Sequence, residues 1–242
     1  DTAGAHGLPV AAYDTQGLRL AFAEVRTERD RAQLEIRMSK TFLQYAHDIN
    51  SGVIDPQKVD KTIVREINRR DSKSLMEGML EANPALFLRG LAPDAPQYAQ
   101  LLKTKLDLEA LMAEGGWGET VPGGKLSPGD KGPRVVALRE RLRKMGYLGR
   151  SASAVYDADI QRAVQEFQID NNLTPDGVAG DGTLTEINRA PEERMKSILV
   201  ALERLRWMNG IDLGKRHIWV NIPDFNVRII EHGKTAFQSV VV

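Results

Sequence analysis

Hydrophobic residues in the first part of the chain recur with the period of an α-helix. Between residues 18 and 49 there is neither proline nor glycine, and apolar side chains keep helical spacing at Leu34, Met38, Phe42, Tyr45 and Ile49. The pattern predicts one long helix that stops at Ser51-Gly52.

Shorter helices are predicted after this one, over residues 60–68, 72–80 and about 98–115. Turn-forming residues separate them at Asp55-Pro56, Asn83-Pro84, Pro93 and Pro96. The last helix ends at Gly115-Gly116-Trp117. Residues 1–120 are therefore predicted to form a helical scaffold domain.

The middle of the chain, residues 121–190, predicts a bundle of three short helices. Pro133 suits the first turn of a helix, where its missing N–H costs nothing, and Asp157 is a good N-cap for the second. Turn residues at 174–177 and 180–182 precede a third helix. The apolar stripes that would meet in the core are Val135, Leu138, Leu142, Ile160, Ala163, Val164, Phe167, Leu184 and Ile187.

The last segment, residues 191–242, changes from a helical to an alternating pattern. Pro191 opens a helix that runs to Trp207, and Ile218, Val220 and Ile222 then share one face of a strand. A turn at Pro223-Asp224, a strand over 225–230, a hairpin loop over 231–234 and a strand over 237–242 complete the pattern. The fold class predicted is mainly α, with a short C-terminal antiparallel meander that begins a β domain cut at Val242. The open edge of this meander predicts a dimer contact.

Composition narrows the classes of function. The chain has 33 basic and 33 acidic side chains, so it lacks the excess of cations that a general nucleic-acid binder needs. It has no Cys, which excludes a thiolate nucleophile or a Cys-ligated metal among these residues. The four His are too far apart in sequence for a preorganised zinc site, and no apolar run is long enough to cross a bilayer. We therefore expect no metal, no cofactor and no membrane span in this chain.

One basic cluster, formed by Arg134, Arg139, Arg141, Arg143 and Lys144, could be mistaken for a DNA-binding helix. On a helix these positions spread around the polar side, and Glu140 lies among them. The pattern favours a solvated surface rather than a nucleic-acid interface.

Residues 126–188 carry a recognisable set of motifs. They are Leu126-Ser127-Pro128-Gly129-Asp130-Lys131-Gly132, Gly146-Tyr147-Leu148, Tyr156-Asp157, Phe167-Gln168 and the run from Asp176 to Leu184. This segment resembles the peptidoglycan-binding domain type 1, a three-helix module attached to many bacterial cell-wall enzymes. The resemblance implies that the partner is peptidoglycan, through its glycan strands or its stem peptides.

The flanking segments resemble the long L,D-transpeptidases of Gram-negative bacteria. The similarity lies in Tyr98, Leu101, Gly115-Gly116-Trp117, the run Leu202-Glu203-Arg204-Leu205-Arg206-Trp207 and the strand Ile218–Pro223. The family's enzymes join stem peptides by acyl transfer through a Cys thiolate with a His base, in the periplasm. No residue here matches that Cys or His, so no catalytic residue is predicted, and the chain is expected to stop before the catalytic motif.

For ligand contact within the module we select Tyr147, Gln168, Asp176 and Thr183, because a shallow groove needs an aromatic surface, donors and acceptors. Asp176 could instead be a turn former and Thr183 a helix-start residue. The alternative function is a complete muramidase or amidase carrying the same module. Its acids would come from residues 1–120, with Glu24, Glu35, Glu66 and Glu77 as candidates. A helical protein-interaction module is a third hypothesis.

Overall fold

The computed structural model describes residues 2–222 and 225–241 and divides into two compact units. The first unit comprises Asp1–Leu108 and Met195–Ile211, and the second comprises Glu109–Arg194 and Asp212–Val242. The protein is mainly α-helical with one three-stranded antiparallel sheet near the C-terminus, as the sequence predicts. Among the helices described, none is both long and apolar enough to cross a membrane.

Helices build the first unit, after a 3₁₀ turn over Val10–Tyr13. They are α1 (Thr15–Glu24), α2 (Glu28–Ser51), α3 (Pro56–Val59), α4 (Ser72–Glu81), α5 (Pro84–Arg89), the first part of α6 (Pro96–Ala113) and most of α10 (Pro191–Trp207). Its apolar core gathers Ala3, Leu8, Tyr13, Ala46, Ile49, Leu75 and Leu91.

The predicted helix over residues 18–49 is in fact two helices. The first ends at Glu24, and Thr27 caps the second: its side chain accepts a hydrogen bond from the N–H of Asp30 at 3.1 Å, and the Asp30 carboxylate accepts one from the N–H of Thr27 at 2.9 Å. This reciprocal capping box satisfies N–H groups that have no partner at a helix start. The hydrophobic period alone could not reveal the break.

The helix predicted over residues 60–68 is wrong. The Asp60 carboxylate accepts hydrogen bonds from both the N–H and the hydroxyl of Thr62, and this turn carries the chain out of α3. Ile63, Arg65 and Ile67 are then half-buried while the residues between them are exposed, which is the alternation of an extended chain. The β-branched run at 62–64 disfavours a helix.

A buried ion pair lies at the centre of the first unit. Arg206 and Glu203, one turn apart on α10, meet at 3.0 Å, and their side chains are only 2% and 9% exposed. Arg206 also donates to the carbonyl of His6 and, at 3.2 Å, to the hydroxyl of Tyr98 on α6. The pair therefore fixes the N-terminal segment and α6 to α10.

The other partner, Glu203, holds the loop after α2. Its carboxylate accepts hydrogen bonds from the N–H of Ile54 at 2.8 Å and from the indole of Trp207 at 3.1 Å. The loop comes so close that a Cβ at Gly52, where φ is +92°, would lie 2.5 Å from the Glu203 carboxylate. Only glycine combines this backbone angle with this approach.

The second unit contains the module and the sheet. In the module, α7 (Pro133–Lys144), α8 (Ala158–Asp170) and α9 (Asp181–Ile187) surround a core that includes Leu138, Leu142, Tyr156, Phe167 and Ile187. Pro133 opens α7, and the Asp157 carboxylate caps α8 through the N–H of Ile160 at 3.1 Å, as predicted. The three-helix bundle is confirmed.

The sheet has the order β1 (Arg216–Asn221), β2 (Asn226–Glu231) and β3 (Lys234–Val240), with antiparallel pairs throughout. The three strands form the predicted meander, with β1 and β3 at its edges, but β3 begins at Lys234, three residues earlier than predicted. The predicted turn at Pro223-Asp224 and the last residue, Val242, lie outside the described residues.

Arg206→Met should destabilise the first unit by about 3–5 kcal/mol, because it leaves the Glu203 carboxylate buried without its counter-charge. Urea denaturation followed by Trp207 fluorescence, in a chain with the other two tryptophans changed to Phe, would measure the loss. Arg204→Met is the matched control, since Arg204 is an exposed Arg of the same helix. Equal stability of the two variants would contradict the central role of the ion pair.

Candidate functional site

Three of the four predicted site residues form one buried hydrogen-bond network in the module. The Nε2 atom of Gln168, on α8, donates to Asp176 Oδ1 at 2.8 Å, to the Val178 carbonyl at 3.0 Å and to Thr183 Oγ1 at 3.1 Å. Its Oε1 atom accepts from the N–H of Gly177 at 2.9 Å. The Gln168 amide thus ties the turn before α9 to α8.

This network gives Gln168 and Thr183 a positioning role in the structure. Gln168 is 2% exposed and Thr183 is 6% exposed, and both polar atoms of Gln168 are engaged. A ligand could reach the Gln168 amide only after the turn had moved away. Their proposed direct contact with peptidoglycan stays a prediction, but the geometry favours an indirect effect through the turn.

Asp176 is the exposed member of the network. Its Oδ1 atom accepts from the N–H of Val178 at 2.9 Å as well as from Gln168. The Val178 N–H and the Gln168 amide hold the pKa of the Asp176 carboxyl below its usual range, so it is ionised at neutral pH. Asp176 is therefore a turn former that also presents a charge to solvent, and its ligand contact stays a prediction.

Tyr147 lies at a different place, in the turn after α7. Its ring meets the Phe167 ring edge-on at 5.4 Å, and its hydroxyl donates to Asp170 Oδ2 at 2.9 Å. Burial and the Asp170 hydrogen bond raise the Tyr147 pKa to about 12, so the hydroxyl stays protonated at neutral pH. The ring forms one wall of a pocket of about 200 Å³ that α8 closes on the other side.

The prediction that the basic cluster of α7 is a solvated surface is wrong for two of its members. Arg139 and Arg141 are only 8% and 4% exposed. Arg139 donates to the carbonyl of Ser153 and pairs with Glu140 at 2.7 Å. The carbonyl groups that accept hydrogen bonds from these buried cations belong to residues distant in sequence. Helical spacing therefore could not indicate that the two side chains are buried.

Arg141 is the residue that fixes the start of the module. Its guanidinium donates to the carbonyl of Ile187 at 2.6 Å, to those of Gly118 and Glu119 at 2.9 and 3.2 Å, and to that of Arg189 at 3.3 Å. Burial lowers the pKa of this guanidinium from its ordinary value. The segment before α7 is therefore joined to the end of α9 through carbonyl groups, which no side-chain motif could indicate.

A second pocket, of about 350 Å³, lies beside this junction and is lined by Gly116, Trp117, Arg141, Asn188 and Glu192, among others. Trp117 is 9% exposed, with the Arg194 guanidinium 5.6 Å from its ring centre. The polar groups of Arg141 and Asn188 are hydrogen-bonded to backbone atoms. Trp117 is therefore buried beside Arg194, and the pocket offers a ligand few uncommitted polar groups.

Within residues 2–222 and 225–241, no three His, Asp or Glu side chains lie close enough to hold an ion. His6, in the first unit, faces Tyr98, with 3.1 Å between Nδ1 and the hydroxyl. Burial, and then Arg206 and Lys105, lower the pKa of His6, so its imidazole is held in the neutral form.

Gln168→Ala should destabilise the module by about 2–4 kcal/mol, because it leaves buried groups of the turn without partners. Thermal unfolding would measure the effect. The matched control is Gln161→Ala, since Gln161 lies on the same helix and its side chain has no hydrogen bond among the described residues. If Gln168→Ala were as stable as the control but bound peptidoglycan more weakly, Gln168 would be a ligand contact rather than a positioning residue.

Comparisons with known proteins match two separate parts of the chain. Residues 1–104 match the family model of the Scaffold domain, and residues 131–187 match that of the peptidoglycan binding domain. No curated protein matches the chain. The second match covers α7, α8 and α9 together with the Gln168 network. The chain is a multidomain protein associated with the cell wall, with peptidoglycan as its partner.

Proposed function

We propose that this chain is the scaffold and wall-binding portion of an L,D-transpeptidase in the periplasm of a Gram-negative bacterium. The observation that carries the proposal is the order of segments: a scaffold match, a peptidoglycan-binding match, then α10 and an antiparallel meander. The proposed boundaries are residues 1–120 for the scaffold, 121–190 for the module, and 191–242 for the linking helix and first catalytic-domain strands.

The contribution of this portion is to bind the wall polymer, not to transfer the acyl group. The chain has no Cys, so the thiolate that such an enzyme requires is not among its 242 residues. Support for the L,D-transpeptidase assignment comes from the run 202–207, in which Glu203, Arg206 and Trp207 form the central contacts of the first unit. The run that resembles the L,D-transpeptidases is thus also one that organises the first unit.

The hydrolase alternative is not better supported. Its four candidate acids, Glu24, Glu35, Glu66 and Glu77, are all exposed, and Glu77 pairs with Lys73 at 3.7 Å. Exposed carboxylates of this kind are typical of solvated helix surfaces. The scaffold match covers the same residues in which that catalytic site would have to lie.

Binding to purified peptidoglycan sacculi tests the wall-binding part. The full chain should sediment with sacculi well above the level of bovine albumin, because the module is folded around an intact core. The turbidity of the suspension should stay constant. Lack of enrichment would contradict wall binding, and a falling turbidity would support the hydrolase instead.

The reading frame of the gene tests the L,D-transpeptidase part. We expect the codons that follow residue 242 to encode further β strands and a Ser-His-Gly-Cys type motif, because the acyl-transfer Cys must be supplied outside these residues. DNA sequencing of the locus provides the measurement. A stop codon at that position, or a continuation without such a motif, would contradict the assignment and leave the wall-binding function in place.

A further inference from the structure

We propose that the pocket between Tyr147 and α8 binds one zwitterionic amino-acid unit of a peptidoglycan stem peptide, with Arg150 on its carboxylate and Glu166 on its ammonium group. The inference rests on the wall-binding function and adds the site and the chemical class of the ligand. Stem peptides carry free carboxylates and amines, whereas the sugar rings of the glycan strand carry hydroxyl and amide groups.

The geometry of α8 places the charged side chains of the pocket on one face. Asp159, Arg162, Ala163 and Glu166 follow the spacing i, i+3, i+4 and i+7, so they line a single stripe of the helix. The turn that carries Tyr147, Leu148 and Arg150 faces this stripe. The pocket is thus formed by two elements of the module itself.

Two charges of opposite sign in this pocket have no partner within the part of the chain that the structure describes. Arg162 is already neutralised by Asp159 at 2.8 Å. In contrast, Arg150 and Glu166 make no hydrogen bond or ion pair among the described residues, and both are exposed. A guanidinium is the side chain best suited to bind a carboxylate through two parallel hydrogen bonds, and a carboxylate is the natural acceptor for an ammonium group.

Part of the wall between these charges is apolar. Leu148 and the 2% exposed Ala163 can face the methylene groups of a side chain, and Tyr147 is held in place by Phe167 and Asp170. The volume of about 200 Å³ is smaller than the roughly 300–1,000 Å³ of typical ligand sites, so it suits one amino-acid unit rather than a disaccharide.

The second pocket is a poorer candidate for this ligand. Its Arg141 guanidinium is committed to four carbonyl groups, and its Trp117 ring is mostly covered. The remaining charged side chain, Glu192, is negative, so the described residues of this pocket include no free cation for the carboxylate of a zwitterionic ligand.

Isothermal titration calorimetry on the full chain tests the site, with the tripeptide L-Ala-D-Glu-meso-diaminopimelate as probe and chitotetraose as the neutral sugar control. We expect binding of the tripeptide and none of chitotetraose in this pocket. Arg150→Gln and Glu166→Gln should each weaken tripeptide binding by about two- to fivefold, the range for exposed charge pairs, and more strongly at low salt.

The matched control is the pair of variants Arg189→Gln and Glu186→Gln, which removes an ion pair between an exposed Arg and a half-buried Glu of the same module, outside the pocket. Tripeptide binding should be unchanged in it. The thermal midpoint of every variant should stay close to that of the original chain, since all four side chains lie at the surface or near it.

A probe with its terminal carboxyl amidated identifies the contact. Amidation should weaken binding to the original chain but have no further effect on Arg150→Gln. Both changes remove the same interaction, the one between the Arg150 guanidinium and the ligand carboxylate. Equal weakening in both proteins would overturn the role of Arg150. If the pocket variants bind the tripeptide as the original chain does, the proposed site is wrong, while retained binding to sacculi would leave the wall-binding function intact.

Discussion

The buried pair of Glu203 and Arg206 is the constraint on which the first unit depends. Two charges taken out of water stabilise a fold only when further hydrogen bonds satisfy them, and here the chain provides these from distant segments. The carbonyl of His6, the hydroxyl of Tyr98 and the N–H of Ile54 all meet this pair. A small apolar core can therefore hold several helices in one arrangement, because misplaced segments would leave a buried charge unsatisfied.

In the module, too, buried polar side chains hold segments together, but here they are one neutral amide and one cation. The Gln168 side chain hydrogen-bonds backbone groups of the turn before α9, which have no partner in a helix or strand. The Arg141 side chain does the same for backbone carbonyls of the segment before α7. In both cases one buried side chain satisfies several backbone groups of an irregular segment. The helices are thereby fixed, while the rim of the module, including Tyr147, Arg150 and Glu166, is left for a ligand.

Sequence reasoning succeeded where local chemistry decides the structure and failed where distant groups do. Pro133 and Asp157 were identified as helix starts because capping is local. The break at Thr27 was also local, yet apolar spacing hid the capping box. Arg141 could not be recognised as buried, since its acceptors lie 22 to 48 residues away. For the site, sequence found the members of the Gln168 network but not that they bind one another.

The extended segment after α3 has a consequence for how the protein tolerates change. Residues 60–71 belong to no helix or strand, and Val64 is 91% exposed. Neither Glu203 nor Arg206 binds any residue of this segment through the contacts that organise the first unit. Added length here costs little, because the entropy of closing a loop grows only slowly with its size. This segment is thus suited to accept an inserted peptide or reporter domain while both units keep their cores.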